Sequence, residues 1–300
     1  MTIATPFAVV LVALGGAVAL AVLERLLARA PLMALGGRAA AAARQPLAVP
    51  EGRDGWLYHL APPLLLAAAV LALAMVPWSP GFRGIELETG AILYSAALAY
   101  VTPAVLMAGW GAGRPLSVVG AFRFVALMIA YEMPIVMAVT AAATPAESLR
   151  PAAIVEVQHT VPLAVAQPLA FVLFLPSVMA VAFVPPFDLP QAPGELGGGA
   201  FSAYTGVQAA LMSLAQRVLV LGAAGMTAAL FLGGWHGPLL PGWLWMALKT
   251  GAVAALMLWA GRRLPRAEID RLLSFAWKVP VPLAIVAILA GGLVTLLFYR

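Results

Sequence analysis

The chain has 300 residues, of which 63% are hydrophobic and only 10% charged, with a mean hydropathy of +0.99 and a formal net charge of +5. A soluble domain carries about 25% charged residues, so this composition excludes a surface that mostly meets water. There is no cysteine, which excludes disulfides, thiolate metal sites and cysteine-held iron–sulfur clusters. Any redox centre serving this chain belongs to a partner.

Eight apolar runs follow one another at roughly 4–23, 57–78, 89–110, 116–143, 160–184, 204–232, 241–261 and 279–299. A spanning helix needs about 20 mostly apolar residues. Barrel strands are shorter and alternate, so helix is the spanning element here. The expected fold class is therefore all-α: a polytopic integral membrane protein of about eight transmembrane helices, forming a single integral domain over 1–300. The first run lacks a positive leader and ends at Glu24-Arg25 without a small-residue cleavage site, so it is expected as a retained span. Residues 29–45 scatter Arg29, Arg38 and Arg44 among alanines and leucines, the pattern of a helix lying in the interface. Residues 185–203 are rich in Pro and Gly and read as irregular. After Pro265, the spacing of Ile269, Leu272, Leu273 and Phe275 predicts a short amphipathic helix ending before Pro280.

The basic residues are unevenly placed. Eleven of 17 lie in alternate loops: Arg25, Arg29, Arg38, Arg44, Arg53, Arg114, Arg262, Arg263, Arg266, Arg271 and Lys278. The opposite loops hold Arg83, Arg150 and Arg300. The positive-inside rule then puts loop 185–203 in the cytoplasm and both termini outside. The basic excess needs no nucleic acid, and no motif for one is present.

Ionisable residues inside membrane runs are functional candidates by default. Glu132 is the one acid deep in such a run. It reads first as a proton-relay carboxylate and, as the alternative, as a structural group satisfied by a neighbouring helix. Arg123 lies nine residues earlier, off Glu132's face, so the two are expected to meet different neighbours. Arg217 is placed to pair with Glu132, and Lys249 to orient its helix. His59, His159 and His236 show no ligand spacing, so no metal site is expected. No hydrolase, zinc-protease, P-loop or dinucleotide motif occurs.

The run Pro186-Phe187-Asp188-Leu189-Pro190 with Glu195 lies between two apolar runs, and Phe231-Leu232-Gly233-Gly234-Trp235-His236-Gly237-Pro238 follows later. With Leu106-Met107-Ala108-Gly109-Trp110, Gly120-Ala121-Phe122-Arg123, Tyr131-Glu132, Tyr204-Thr205-Gly206, Leu264-Pro265-Arg266 with Asp270, and Trp277-Lys278, these resemble, in order and over about 57–285, the H subunit of bacterial NADH-quinone oxidoreductase (complex I). The resemblance implies a membrane subunit at the elbow of a proton-translocating enzyme, catalysing nothing alone. Its loop residues Phe187, Asp188, Leu189, Pro190 and Glu195 would line or brace a quinone chamber. Arg123, Tyr131, Glu132 and Arg217 would belong to the start of a proton path. No cofactor is expected on the chain alone, quinone being held at the interface with the other subunits.

The chain departs from that family where charge is expected. Val181 and Val184 stand in place of an acid and an arginine, Gln191 and Pro193 replace acids, Phe201 and Ala203 replace a histidine and an acid, and Gln216-Arg217 replaces Glu-Tyr. Three other readings stay open on these residues: the anchor subunit of a membrane-bound hydrogenase or another complex I relative, an independent secondary transporter, and a scaffold that has lost its chemistry.

Overall fold

The computed structural model describes residues 4–27, 51–266 and 268–298. The expected interfacial helix at 29–45 lies outside the described residues. Twelve α-helices are described: α1 (Ala4–Leu27), α2 (Gly55–Ala74), α3 (Gly90–Ala99), α4 (Val101–Gly111), α5 (Pro115–Ala143), α6 (Pro151–Val157), α7 (Leu163–Ala166), α8 (Pro168–Val181), α9 (Gly206–Phe231), α10 (Gly242–Arg263), α11 (Ile269–Lys278) and α12 (Pro280–Phe298). Among the described residues, seven helical segments are long and apolar enough to cross a membrane, α3 and α4 counting as one and α11 and α12 as another, against the eight expected. The expected fold class holds, and α11 lies where the amphipathic pattern put it.

Two runs are less continuous than the sequence suggests. The fifth, 160–184, is not one long helix. It breaks at Gln167, whose backbone (φ −130°, ψ 61°) is non-helical, and leaves α8 with 14 residues, about 21 Å of rise. Pro168 follows immediately, and proline both lacks a backbone donor and disfavours helix in the residue before it. The third run is interrupted at Tyr100; Pro103, three residues on, cannot donate to the carbonyl of Ala99.

Helix α9 is the centre of the bundle. Every residue from Val218 to Phe231 is buried, and α2 and α10 pack against it on two sides. Small residues make the approach close. A side chain at Gly222 would meet the Leu73 backbone, and one at Gly225 would press on Val76, as small residues commonly allow between membrane helices.

The end of the bundle away from loop 185–203 is tied by a neutral amide. Gln158, 2% exposed, donates from Nε2 to the carbonyls of Ile154 (2.9 Å) and Ala229 (3.0 Å). Its Oε1 accepts from the backbone N–H groups of Leu163 (3.1 Å) and Gly233 (2.9 Å). One side chain thus joins α6, the start of α7, α9 and the turn after it. Beside it, Lys249 Nζ donates to the His236 carbonyl (2.7 Å). Helical side chains tilt toward the helix N-terminus, so a lysine two turns into α10 reaches back to this surface. Burial, then the Lys249 ammonium and His159, hold the His236 imidazole below its ordinary pKa of 6.5.

Replacing Gln158 by Leu strands the Leu163 and Gly233 donors, each worth about 1–3 kcal/mol; a clear fall in the thermal melting temperature of the solubilised protein is expected, and an unchanged melt would remove this role. For His236 the folded pKa is depressed, so its stabilisation is present above pH 6.5 and lost as pH falls toward the folded value. Melts measured from pH 7.5 downward should show an acid-side loss that His236→Asn removes.

Candidate functional site

Loop 182–205 does not leave the bundle when α8 ends at Val181. Phe183 adopts a left-handed φ of +57°, and residues 184–190 are buried apart from the half-buried Pro185. The Phe183 ring stacks on Phe124 (4.9 Å) and meets Phe201 edge-on (5.4 Å), while the Phe187 ring sits edge-on against Tyr131 (5.6 Å). Tyr131 is seven residues, about 10 Å, further along α5 than Phe124. The loop therefore runs along α5 into the helical body. Irregular backbone at such depth is tolerated only where protein or a cavity satisfies it. Here the N–H of Val184 donates to Met179 (3.0 Å), that of Phe187 to Val184 (3.0 Å), and those of Gln191 and Ala192 to the Asp188 carbonyl (3.1 and 2.9 Å).

The closest approach is at Pro190. Its carbonyl accepts from the N–H of Ala200 (3.1 Å). A Cβ at Gly199, which has φ +50°, or at Gly120 on α5 would collide with that oxygen. Gly120 is thus the gap in α5 through which loop backbone and helix backbone meet.

Two ion pairs clamp the loop. The Asp188 side chain, 8% exposed, meets Arg266 Nη2 at 3.1 Å. Glu195 meets Arg123 Nη1 at 2.6 Å. Glu195 is 60% exposed, so that pair is worth about 0–1 kcal/mol. The buried Asp188 matters more, because losing Arg266 leaves a carboxylate with little solvent to hold it. Downstream, Tyr58 Oη donates to the Ala203 carbonyl (3.0 Å), its ring stacks on Tyr204 (4.4 Å), and Tyr204 Oη donates to the Ala108 carbonyl (3.2 Å). Burial, then the neighbouring Tyr58, raise the Tyr204 pKa, so its hydroxyl keeps the proton it donates.

The structure divides the residues singled out in the sequence. Phe187, Asp188, Leu189 and Pro190 are buried together in the loop. Arg123 is held at the loop by Glu195. Tyr131 is buried beside Phe187, and the adjacent Glu132 is half-buried with no ion pair among the described residues. The expected pairing of Arg217 with Glu132 does not form. Arg217 Nε lies 3.7 Å from Glu24 instead, because α9 brings it against the end of α1. That contact exceeds hydrogen-bond length, and Arg217 Nε has no hydrogen-bond partner. A cavity of about 210 Å³ opens there between Glu24, Gln216 and Arg217 on one side and Phe183, Val184 and Pro185 on the other. Glu24, Arg266 and Gly120 carry parts of this site that sequence reasoning gave no role. Each sits in a motif already visible, but their partners lie 193, 78 and 70 residues away (Arg217, Asp188 and Pro190). No cluster of three or more metal-ligating side chains occurs among the described residues.

Gly120→Leu is expected to lift the loop off α5. Limited proteolysis of the membrane-embedded protein should then cut within 191–203 at least about tenfold faster, the change that 1.4 kcal/mol of protection corresponds to. Equal cleavage of both proteins would show that the loop does not depend on this contact.

The family model described as NADH dehydrogenase matches residues 42–291. An NADH-quinone oxidoreductase H subunit of Syntrophobacter fumaroxidans is 36% identical over 253 residues, covering 81% of this chain and 76% of that one. The H subunit of Geobacillus kaustophilus is 36% identical over 255 residues, covering 84% and 77%. Among solved structures, a chain of the membrane-bound sulfane sulfur reductase, an archaeal respiratory membrane complex, superposes with a TM-score of 0.83 at 21% identity, covering 96% of this chain and 98% of that one. At that identity the likeness speaks for the fold alone. On a match spanning most of its length and the identity to these relatives, the chain belongs to the NADH dehydrogenase family of membrane proteins that includes the NADH-quinone oxidoreductase H subunit.

Proposed function

We propose that this membrane subunit of a complex I-like enzyme forms part of the quinone chamber and the first stage of the proton path. The observation that carries the reading is the cavity behind the buried loop: Phe183, Val184 and Pro185 of the loop are also its wall. Its apolar side suits the quinone ring alone, because about 210 Å³ is less than a whole ligand site usually needs and the isoprenoid tail would extend beyond it. Its polar side offers Arg217, Gln216 and Ser213 as donors to carbonyl oxygens, with Glu24 beside them.

Two-electron reduction of a quinone takes up two protons. The electrons come from cysteine-bearing partners, since this chain has no residue that holds an iron–sulfur cluster. Charge arriving on the quinone raises the proton affinity of carboxylates near it. Asp188 and Glu195 are the acids of the loop's ion pairs with Arg266 and Arg123, and the loop's Phe187 bears on Tyr131, next to Glu132. The chain so links the chamber wall to the one acid within α5. Glu132 flanks an exposed stripe formed by Phe122, Ile129, Met133 and Val136. A carboxylate is costly in lipid, so this face is proposed to pack on another membrane subunit that hydrates or pairs it. The excess of basic residues in the loops at the chamber end supports a reading in which that end faces the cytoplasm and the water-soluble subunits of a bacterial inner-membrane enzyme.

The neutral residues at Val181, Gln191, Ala203 and Gln216 favour a second reading, a subunit that keeps the shape and leaves proton transfer to others. Glu132→Gln separates the two. If the path runs here, proton uptake coupled to quinone reduction in reconstituted vesicles should fall at least about tenfold with the complex fully assembled. Unchanged pumping would leave only the scaffold. Asp188→Asn should lower quinone-dependent turnover while NADH oxidation by an artificial acceptor stays normal; turnover equal to wild type would take the loop out of the chamber.

A further inference from the structure

The polar side of the loop-end cavity carries more positive than negative charge. Glu24 and Arg217 lie together there, both half-buried, with Arg217 Nε 3.7 Å from the Glu24 carboxylate. That is too long for a hydrogen bond, and the buried Nε donor has no other acceptor. A second cation stands beside the same acid: Arg262 Nη2 donates to the backbone carbonyl of Glu24. Helix α10 brings it there. Leu258, one turn earlier, lines the cavity, and a Cβ at Gly261 would collide with the carbonyl of Pro185 in the cavity wall. Two guanidinium groups therefore meet one carboxylate. The buried acid of the loop, Asp188, adds no free charge, because Arg266 neutralises it.

The sequence shifts in the same direction. Where the family pattern has Glu-Tyr, α9 carries Gln216-Arg217, which replaces an acid by a neutral amide and a neutral phenol by a cation. Other cations of the spanning helices are satisfied by protein. Arg123 meets Glu195 at 2.6 Å, and Lys249 reaches the His236 carbonyl. Arg217 keeps an unused donor that points to an acceptor from outside the chain, and a charged acceptor makes the stronger bond. The opposite wall decides the shape of that acceptor. Phe183, Val184 and Pro185 are apolar, so an inorganic anion would lose hydration against them without compensation. A ring with its oxygens on one edge meets both walls.

We propose that this cavity selects an anionic ring, a planar ligand whose charged oxygen accepts from Arg217 in place of the loose contact with Glu24. Arg262 adds to the favourable field at the edge. The inference rests on the quinone-chamber reading for the ring and adds the charge state: an ionised hydroxyquinone is held more tightly than a neutral quinone of the same shape.

The test compares two such rings on the intact complex. Calorimetric titration measures the affinity for 2-hydroxy-3-methyl-1,4-naphthoquinone, an anion at neutral pH, and for its neutral 2-methoxy counterpart. Wild type should bind the anion at least about tenfold more tightly. Arg217→Gln should bring the two affinities within about threefold of each other. Arg217→Lys, which keeps the charge, should retain most of the preference, and Gln216→Glu, which puts an acid beside Arg217, should narrow it. Equal affinities in wild type overturn the inference and leave the quinone chamber standing. So does a preference that Arg217→Gln leaves intact. Binding of neither compound overturns the chamber reading and the inference with it.

Discussion

Everything at the functional end depends on one constraint: a stretch of irregular backbone is buried inside a helical membrane body, where no bulk water can satisfy it. The Pro190 carbonyl shows how the constraint is met. It is bonded to Ala200 and enclosed by two glycines, Gly120 from α5 and Gly199 from the loop itself. Because the loop can lie this close, Phe187 reaches Tyr131 and Phe183 reaches Phe124. Asp188 is then carried into a buried position where Arg266 must neutralise it. The cavity lined by Phe183, Val184 and Pro185 is a consequence of the same path.

The two ends of the bundle solve the burial of polar groups in different ways. The end opposite the loop relies on a neutral amide inside: Gln158 fills all four of its hydrogen-bonding positions, while the Lys249 ammonium turns back toward the surface. The loop end uses charges in pairs, with Arg217 Nε left without a hydrogen-bond partner beside a cavity. A satisfied neutral hub holds shape across changes of pH and charge. Paired and half-paired charges respond when a neighbouring group gains or loses charge, which is the property that coupling an electron reaction to proton movement needs.

Between these ends lies α9, buried along its second half and flanked by helices at close range. It carries Arg217 near the loop end and reaches Gln158 through Ala229 at the other. A rigid centre of this kind fixes the cavity's position relative to α1 and α5. The loop is held through aromatic contacts and ion pairs rather than a continuous helix face.

Much of the fold was legible in order and composition. Runs of twenty apolar residues must form spanning helices in lipid, and the amphipathic spacing of Ile269, Leu272 and Leu273 sufficed for α11. The motifs around Asp188 and Gly120 marked the family because short segments keep their spacing in any fold that uses them. The sequence could not say that Gln167 breaks the fifth run, since proline is tolerated in many membrane helices and only neighbouring packing decides whether one of them bends or stops. Nor could it pair Arg217 with Glu24 rather than Glu132, or Asp188 with Arg266. Those choices depend on which helices become neighbours, a property of the whole packed bundle that no local pattern encodes.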